Sequence, residues 1–253
     1  MIKSILLVFL LFTISGSADI VNNSVKVAKL IKVQTFSSKD ISKFAKILEE
    51  TKGTKKLGKL LGKMNLKNEV LEDTFMRLAI YRNKVTRKEA EEMFIHLSGT
   101  KGFRTTLRKV VGNSTQKTSG HLNELKIANS ASKNGFKVRS VGEVFVDGIK
   151  KSPTDLDIVL TKRGKTFAIE AKDYASTTHI PLDKFRGDMD TLVSYARKNP
   201  SERVIPIFSM TNKPHNTLKL RQLVIAAEKR GVQLIFGTAQ QQVEQIKLLG
   251  EIL

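Results

Sequence analysis

Apolar and polar residues alternate over residues 154–172, and this alternation predicts two β-strands joined by a tight turn. Residues 162–165 separate the two runs, and Gly164 supplies the positive φ that a tight turn favours. We therefore expect a β-hairpin here. Its apolar positions are Leu156, Ile158, Leu160, Phe167, Ile169 and Ala171.

The polar positions of this hairpin carry the candidate chemistry. Side chains of a strand alternate between faces, so Asp155 and Asp157 share one face, and Glu170 and Lys172 also share one. If the hairpin puts its apolar side chains together, Asp157, Glu170 and Lys172 converge on the opposite face. Two carboxylates beside an ammonium suit a divalent metal ion and a phosphate.

Helical spacing of apolar residues dominates the chain before residue 112. Thr86 and Glu89 have the spacing of a capping box, Gly99 lies where a helix C-terminal cap belongs, and residues 103–111 predict one more short basic helix. We expect residues 19–111 to form a small, basic, all-helical domain. Residues 112–120 are polar without apolar periodicity, and we interpret them as a linker.

Helices and strands alternate after residue 120, which predicts an α/β sandwich with a central sheet over residues 121–253. Glu124 lies in the first of these helices, on the same side as the small residues Ala128 and Ala131. This position fits either a carboxylate that approaches the sheet closely or a solvated side chain next to Lys126. The expected order is a helix to residue 134, a strand or bent hairpin over residues 136–146, the hairpin, a helix from Pro181, a strand over 204–208, a helix over 216–230, a strand over 232–236 and a helix over 240–249.

Charge and composition narrow the functional classes. The formal net charge is +20, and residues 21–120 carry 22 Lys and Arg against 9 Asp and Glu. Such an excess attracts phosphate backbones or anionic membranes. The chain contains no Cys, which excludes disulfides and thiolate–metal sites, and the absence of Trp argues against base-stacking platforms.

Residues 1–18 have the positive start, the apolar run and the small-residue exit of a secretory signal peptide. We therefore expect a secreted or periplasmic protein with no stable membrane insertion after cleavage. An uncleaved anchor is the alternative, although the apolar run is short for a membrane span. Residues 55–63 are basic and amphipathic, which fits either a membrane-surface or nucleic-acid contact or, more simply, a solvated helix face.

The hairpin resembles the core of the PD-(D/E)XK nuclease superfamily, which includes restriction endonucleases and Holliday-junction resolvases. The superfamily pattern is an acid at the start of one strand and Glu-x-Lys in the next, and Asp157, Glu170 and Lys172 match it. Glu124 matches the Glu that many members carry on the preceding helix. The resemblance covers roughly residues 119–237 and implies a restriction-endonuclease-like α+β fold with a mixed central sheet, preceded by the unrelated helical domain.

The resemblance implies a metal-dependent endonuclease. Asp157 and Glu170 would hold Mg²⁺, or Mn²⁺ in its place, together with the backbone carbonyl of Ala171, and Glu124 would complete the metal shell. Lys172 would orient the attacking water or offset transition-state charge. Asp155 is the reserve candidate for the first acid.

Lys184 and Arg186 lie in the first turn of the next predicted helix, where they suit phosphate binding, although either one alone is more simply a surface charge.

The same features also fit other interpretations. The charged hairpin is also typical of a sheet with one solvated face. There are two rival functions. One is a non-catalytic nucleic-acid binder on a degenerate nuclease fold, and the other is a membrane-active secreted protein that uses residues 55–63. A secreted nuclease suggests a toxin or effector delivered into another cell, with an inhibitor or immunity protein as partner, or a scavenging enzyme. A homodimer would suit cleavage of both strands.

Overall fold

The computed structural model describes residues 68–81, 83–112, 115–146 and 154–252, and these form a mixed α+β architecture. The predicted signal peptide and the basic segment 55–63 lie outside the described residues. Four helices come first: α1 Asn68–Tyr81, α2 Arg87–Leu97, α3 Phe103–Gly112 and α4 Thr115–Lys133. The remaining elements are β1 Lys137–Phe145, β2 Thr154–Lys162, β3 Lys165–Lys172, α5 Leu182–Lys198, a 3₁₀ turn Pro200–Glu202, β4 Val204–Met210, α6 Thr217–Glu228, β5 Gln233–Phe236 and α7 Ala239–Ile252.

The five strands form one mixed sheet in the order β1-β2-β3-β4-β5. The first three strands pair antiparallel, whereas β3 pairs with β4 and β4 pairs with β5 in parallel. The predicted hairpin is confirmed as β2 and β3. Its two-residue loop has positive φ at both Arg163 (50°) and Gly164 (74°), the backbone of a type I′ turn that matches the twist of paired strands.

Helices cover both faces of the sheet. One buried cluster packs the described front helices, α4 and α7 against one face, with Leu107, Leu125 and Ile169 among its members. A second cluster packs α5 and α6 against the other face, around Phe185 and Phe208. The predicted layered α/β arrangement with a mixed central sheet is confirmed at this level. None of the described helices combines the length and apolar character needed to cross a membrane.

Local signals in the front helices are also confirmed. The Thr86 hydroxyl accepts a hydrogen bond from the Glu89 amide at 3.2 Å, and the Thr86 amide donates to Glu89 Oε2 at 2.9 Å. This is the predicted capping box of α2. Gly99, predicted as a C-terminal cap residue, has a φ of +80°, and Gly135, which follows α4, has a φ of +75°; a glycine adopts both without strain.

The predicted linker over residues 112–120 is wrong in its main part, because α4 begins at Thr115. The polar residues of this segment did not indicate a helix, because a polar contact rather than an apolar stripe joins the first turn of α4 to α3. Thr118 is buried, and its hydroxyl donates to the Val110 carbonyl at 3.2 Å. Val110 and Leu125, on either side of the expected boundary, belong to one hydrophobic cluster. The described helices before residue 112 therefore share a core with the sheet.

One residue of the hairpin's predicted apolar face packs on the opposite face of the sheet. Ile158 and Leu160 pack in the first cluster as predicted, but Leu156 packs in the second. The change coincides with the end of the β2–β3 ladder, whose last pair is Ile158 with Ile169. Because β2 leaves β3 there, Leu156 no longer follows the face that simple alternation assigns to it.

Candidate active site

The candidate site lies where β2 separates from β3. Beyond the last backbone pair, the Ala171 amide donates to Asp157 Oδ2 at 2.8 Å, so a side chain occupies the place of a strand partner. The amide and carbonyl of one strand residue point to the same neighbouring strand. The Ala171 carbonyl therefore faces the same opening as its amide, which is where the sequence predicted a carbonyl ligand.

Lys172 lies among three carboxylates at this opening. Its Nζ contacts Glu170 Oε1 directly and lies 3.9 Å from Asp157 Oδ2 and 3.9 Å from Asp188 Oδ2. The predicted convergence of Asp157, Glu170 and Lys172 is thus present. Their side chains are 16%, 11% and 20% exposed, so the group is largely but not completely shielded from solvent.

Glu124 joins this group from α4, on the other side of the opening. The residue is buried, and its Oε1 lies 2.8 Å from His121 Nδ1. Burial, then the charge of Glu170, then the charge of Glu124 raise the pKa of Asp157 well above its ordinary range. Glu124 is therefore close enough to repel the Asp157 carboxylate. We call Glu124, Asp157, Glu170, Lys172 and Asp188 the carboxylate cluster.

Four carboxyl groups and one ammonium leave the carboxylate cluster with excess negative charge. Burial raises the pKa of Glu170 against the opposing effect of Lys172. Burial alone would lower the pKa of the Lys172 ammonium, but the charges of Asp157 and Glu170 outweigh burial and raise it. The ammonium therefore stays charged, and the carboxylates are more numerous than it can neutralise. In a chain of net charge +20, acids gathered around perturbed pKa values are a feature typical of functional sites.

Asp155, the reserve acid, lies at the rim of the carboxylate cluster. Its side chain is 50% exposed, and its Oδ2 lies 3.6 Å from Lys109 Nζ on α3. Its charge still contributes to the raised pKa of Glu170. Asp157 is the acid inside the opening, as the sequence predicted, and Asp155 is the more solvated of the two.

The two predicted phosphate contacts differ in their surroundings. Lys184 and Arg186 are both exposed on the first turns of α5. Arg186 Nη1 lies 3.3 Å from Asp183 Oδ1, so its charge is partly neutralised within the helix. Lys184 precedes Asp188 by four residues, which places the two on the same side of α5. Lys184 is therefore the better placed of the two toward the carboxylate cluster.

Three residues at the site were not predicted from the sequence: Asp188, His121 and Tyr174. A signal for Asp188 was present, because this acid falls between the buried residues Phe185, Met189 and Leu192 on the apolar side of α5. Tyr174 follows β3, and burial raises the pKa of its phenol. The charge of Lys172 opposes this rise, and the charge of Asp188 adds to it. His121 could be found only through its i, i+3 spacing from Glu124.

The donor set fits a small hard cation in its chemistry. Mg²⁺ prefers oxygen ligands and is commonly held by one or two carboxylates, with water or substrate phosphate completing its shell. Asp157, Glu170 and the Ala171 carbonyl offer such oxygens. Within the described part of the chain, however, no three His, Cys, Asp or Glu side chains are grouped so as to hold a metal ion. A cation bound here would therefore rely on water and substrate oxygens.

Comparison of the chain with protein-family models, with curated proteins and with solved structures found no match. The sequence pattern, the residues and their geometry therefore carry the functional inference.

Proposed function

We propose that the chain is a metal-dependent endonuclease that hydrolyses phosphodiester bonds in nucleic acid, with a restriction-endonuclease-like fold in its C-terminal part. The observation that carries the proposal is the meeting of Asp157, Glu170 and Lys172 at the opening between β2 and β3. This is the constellation of the PD-(D/E)XK pattern. It lies inside an acidic group of side chains, whereas the chain as a whole is strongly basic.

The residues have distinct roles in this proposal. Asp157, Glu170 and the Ala171 carbonyl would hold Mg²⁺, which Mn²⁺ could replace, and Glu124 would add a carboxylate to its surroundings. When bound, the metal supplies charge stabilisation at the phosphate and lowers the pKa of a coordinated water. Lys172 holds a positive charge beside the reacting phosphate and orients the attacking water. Lys184 would contact a phosphate next to the scissile one.

A biological setting follows from the N-terminal sequence rather than from the site. With a signal peptide, the nuclease would act outside the producing cell, as a toxin or effector or as a scavenging enzyme. A toxin would require an inhibitor or immunity protein in the producer. Cleavage of both strands would suit a homodimer.

The test incubates the folded protein from Asp19 onward with supercoiled plasmid, single-stranded DNA and tRNA, each in Mg²⁺ and in EDTA. Glu170→Gln is the test variant. Glu228→Gln is the matched control, because Glu228 is exposed at the end of α6. We expect metal-dependent cleavage by the wild type and by Glu228→Gln, with cleavage lost in Glu170→Gln.

A specific observation favours a second candidate, a binder of nucleic acid without catalysis. Lys172 contacts Glu170 directly, so the ammonium itself neutralises one of the oxygens a metal would need. In that case, folded protein would bind nucleic acid with a steep salt dependence and cut none of the substrates in Mg²⁺ or Mn²⁺. Equal cleavage by wild type and Glu170→Gln would exclude the proposed site itself.

A further inference from the structure

Helix α3 connects the front of the chain to the rim of the carboxylate cluster. Its apolar side is fixed, because Phe103, Leu107 and Val110 are fully buried against neighbouring helices and β1. Lys109, in its last turn, reaches Asp155 with an Nζ–Oδ2 distance of 3.6 Å. The end of this helix is therefore anchored beside the proposed site.

The outward side of α3 is basic and lacks acidic residues. Arg104 is exposed and Arg108 is partly exposed, and the two lie one helical turn apart. Neither guanidinium forms an ion pair with any residue in the described ranges. We call Arg104, Arg108 and Lys109 the α3 basic face.

In the neighbouring helices α2 and α4, by contrast, charged side chains form ion pairs. Arg87 pairs with Glu91 within α2, and the other two acids of α2 pair across to α4. These contacts are Lys126 with Glu89 at 3.2 Å and Lys133 with Glu92 at 3.0 Å. The front helices therefore neutralise charge where they meet one another, whereas the two arginines of α3 remain uncompensated among described residues.

We infer that the α3 basic face binds the phosphate backbone of the nucleic acid and leads it into the carboxylate cluster. This inference rests on the proposed function for the identity of the ligand. The carboxylate cluster by itself repels phosphates, so a substrate needs cations close to the opening to approach it. Arg104 and Arg108 supply them on adjacent turns of α3, and Lys109, the residue after Arg108, contacts Asp155 at the rim. The described front helices would thus be the substrate-binding part of the enzyme.

The test measures binding separately from cleavage, by fluorescence anisotropy of labelled duplex DNA and labelled tRNA in EDTA. The variant is Arg104→Gln with Arg108→Gln. Loss of two phosphate contacts should reduce the slope of log affinity against log salt by about 2 for duplex DNA and lower the affinity on the order of 10- to 100-fold near 0.1 M salt. Arg104→Lys with Arg108→Lys keeps both charges and should retain most of the affinity.

The matched control is Arg221→Gln with Lys247→Gln. Both residues are exposed, on α6 and α7, the helices that contact β5 at the sheet edge opposite β1. We expect the control to bind within about twofold of the wild type, since its charges lie off the proposed path. Equal binding by the two Gln double variants would overturn the inference, as would a folded wild type that binds neither nucleic acid. Selective loss of binding without any cleavage by the wild type would leave the inference standing and refute the nuclease.

Discussion

The carboxylate cluster and a second group of polar and charged side chains differ in how many hydrogen bonds their carboxylates accept. The second group, which we call the β1 cluster, consists of Arg139, Ser140, Glu143, Tyr195 and Glu202. In it Glu143 accepts from the Ser140 hydroxyl at 2.5 Å, from the Tyr195 hydroxyl at 3.3 Å and from two Arg139 nitrogens at 3.2 and 3.3 Å. Arg139 also donates to Glu202 at 2.6 Å.

The pKa shifts of the two clusters run in opposite directions. Burial would raise the pKa of Glu143, but the hydrogen bonds from Ser140 and Arg139 outweigh burial and lower it. In the carboxylate cluster, burial and neighbouring acids raise the pKa of Asp157. A saturated carboxylate contributes to stability and has little capacity left for a ligand. Crowded carboxylates with one shared ammonium destabilise the fold locally and remain ready for a cation.

The largest expected difference between the clusters is in cleavage. Lys172→Ala removes the only ammonium of the carboxylate cluster, and we expect kcat to fall by about 10²–10³-fold or more with nucleic-acid binding nearly unchanged. Single-turnover cleavage of whichever substrate the wild type cuts (plasmid, single-stranded DNA or tRNA) measures the change in kcat. Lys165→Ala is the control at the other end of β3, roughly 23 Å away along the strand. Cleavage by Lys172→Ala at the wild-type rate would show that the assigned role is wrong.

In the β1 cluster the expected effect is on stability instead. Glu143→Gln leaves the Arg139 and Ser140 donors poorly matched, and we expect a loss of about 1–3 kcal/mol in the free energy of unfolding at neutral pH. Denaturant unfolding measures it, and cleavage below the unfolding transition should stay at the wild-type rate. A stable variant that has lost cleavage would instead place Glu143 in the catalytic machinery.

The hairpin and its acids were predictable because strand alternation is a local property. Alternation placed Asp157, Glu170 and Lys172 together, and Gly164 marked the turn between their strands. The linker prediction failed because of a tertiary contact: the Thr118 hydroxyl donates a hydrogen bond to a carbonyl of the preceding helix.

The pattern of α5 places Asp188 on its apolar side, but Asp188 reaches Lys172 because α5 packs on the second face of the sheet, and the local pattern does not contain that packing. The β1 cluster is likewise invisible in the sequence. Tyr195 and Glu202 lie more than fifty residues after Glu143, and only the folded chain brings them together.

The opposite pKa shifts predict opposite effects of pH on two variants. Asp157 has a raised folded pKa, so its contribution is complete below its unfolded pKa of about 3.9 and is lost as pH rises through the folded value. Asp157→Asn should therefore gain Tm relative to wild type as pH increases. Glu143 has a lowered folded pKa, so its contribution is lost as pH falls through that value. Glu143→Gln should therefore approach the wild-type Tm in acid.

Thermal unfolding between about pH 3 and pH 8 tests this pair of predictions, because roughly 1 kcal/mol moves Tm by about 2–4 °C in a chain of this size. Both variants keep a side chain of the same shape, so packing changes little. A parallel response of the two variants to pH would contradict the distinction between the clusters.

Added Mg²⁺ should stabilise only through the carboxylate cluster. At ten times its dissociation constant, an ion that binds the folded state alone adds about 1.4 kcal/mol. We expect Mg²⁺ to raise the Tm of the wild type and of Glu143→Gln, with EDTA reversing it, and to leave Glu170→Gln unchanged. An equal rise in Glu170→Gln would indicate binding elsewhere on the protein.

The smallest predicted effect concerns Asp188, the acid that packing adds to the pattern. If Asp157 and Glu170 turn toward a metal, Asp188 is the described carboxylate left to hold the Lys172 ammonium, 3.9 Å away. Asp188→Asn keeps the shape and removes the charge, so we expect kcat to fall about 3- to 10-fold with KM unchanged.

Asp190→Asn is the control on the same helix, because Asp190 pairs with Arg230 at 2.7 Å instead. A selective loss in Asp188→Asn, relieved in Asp188→Glu, would make Asp188 a positioning residue for Lys172. Equal rates for Asp188→Asn and Asp190→Asn would mean that Lys172 keeps its position through Asp157 and Glu170 alone. Asp188 would then add nothing to the functional residues that the sequence already predicts.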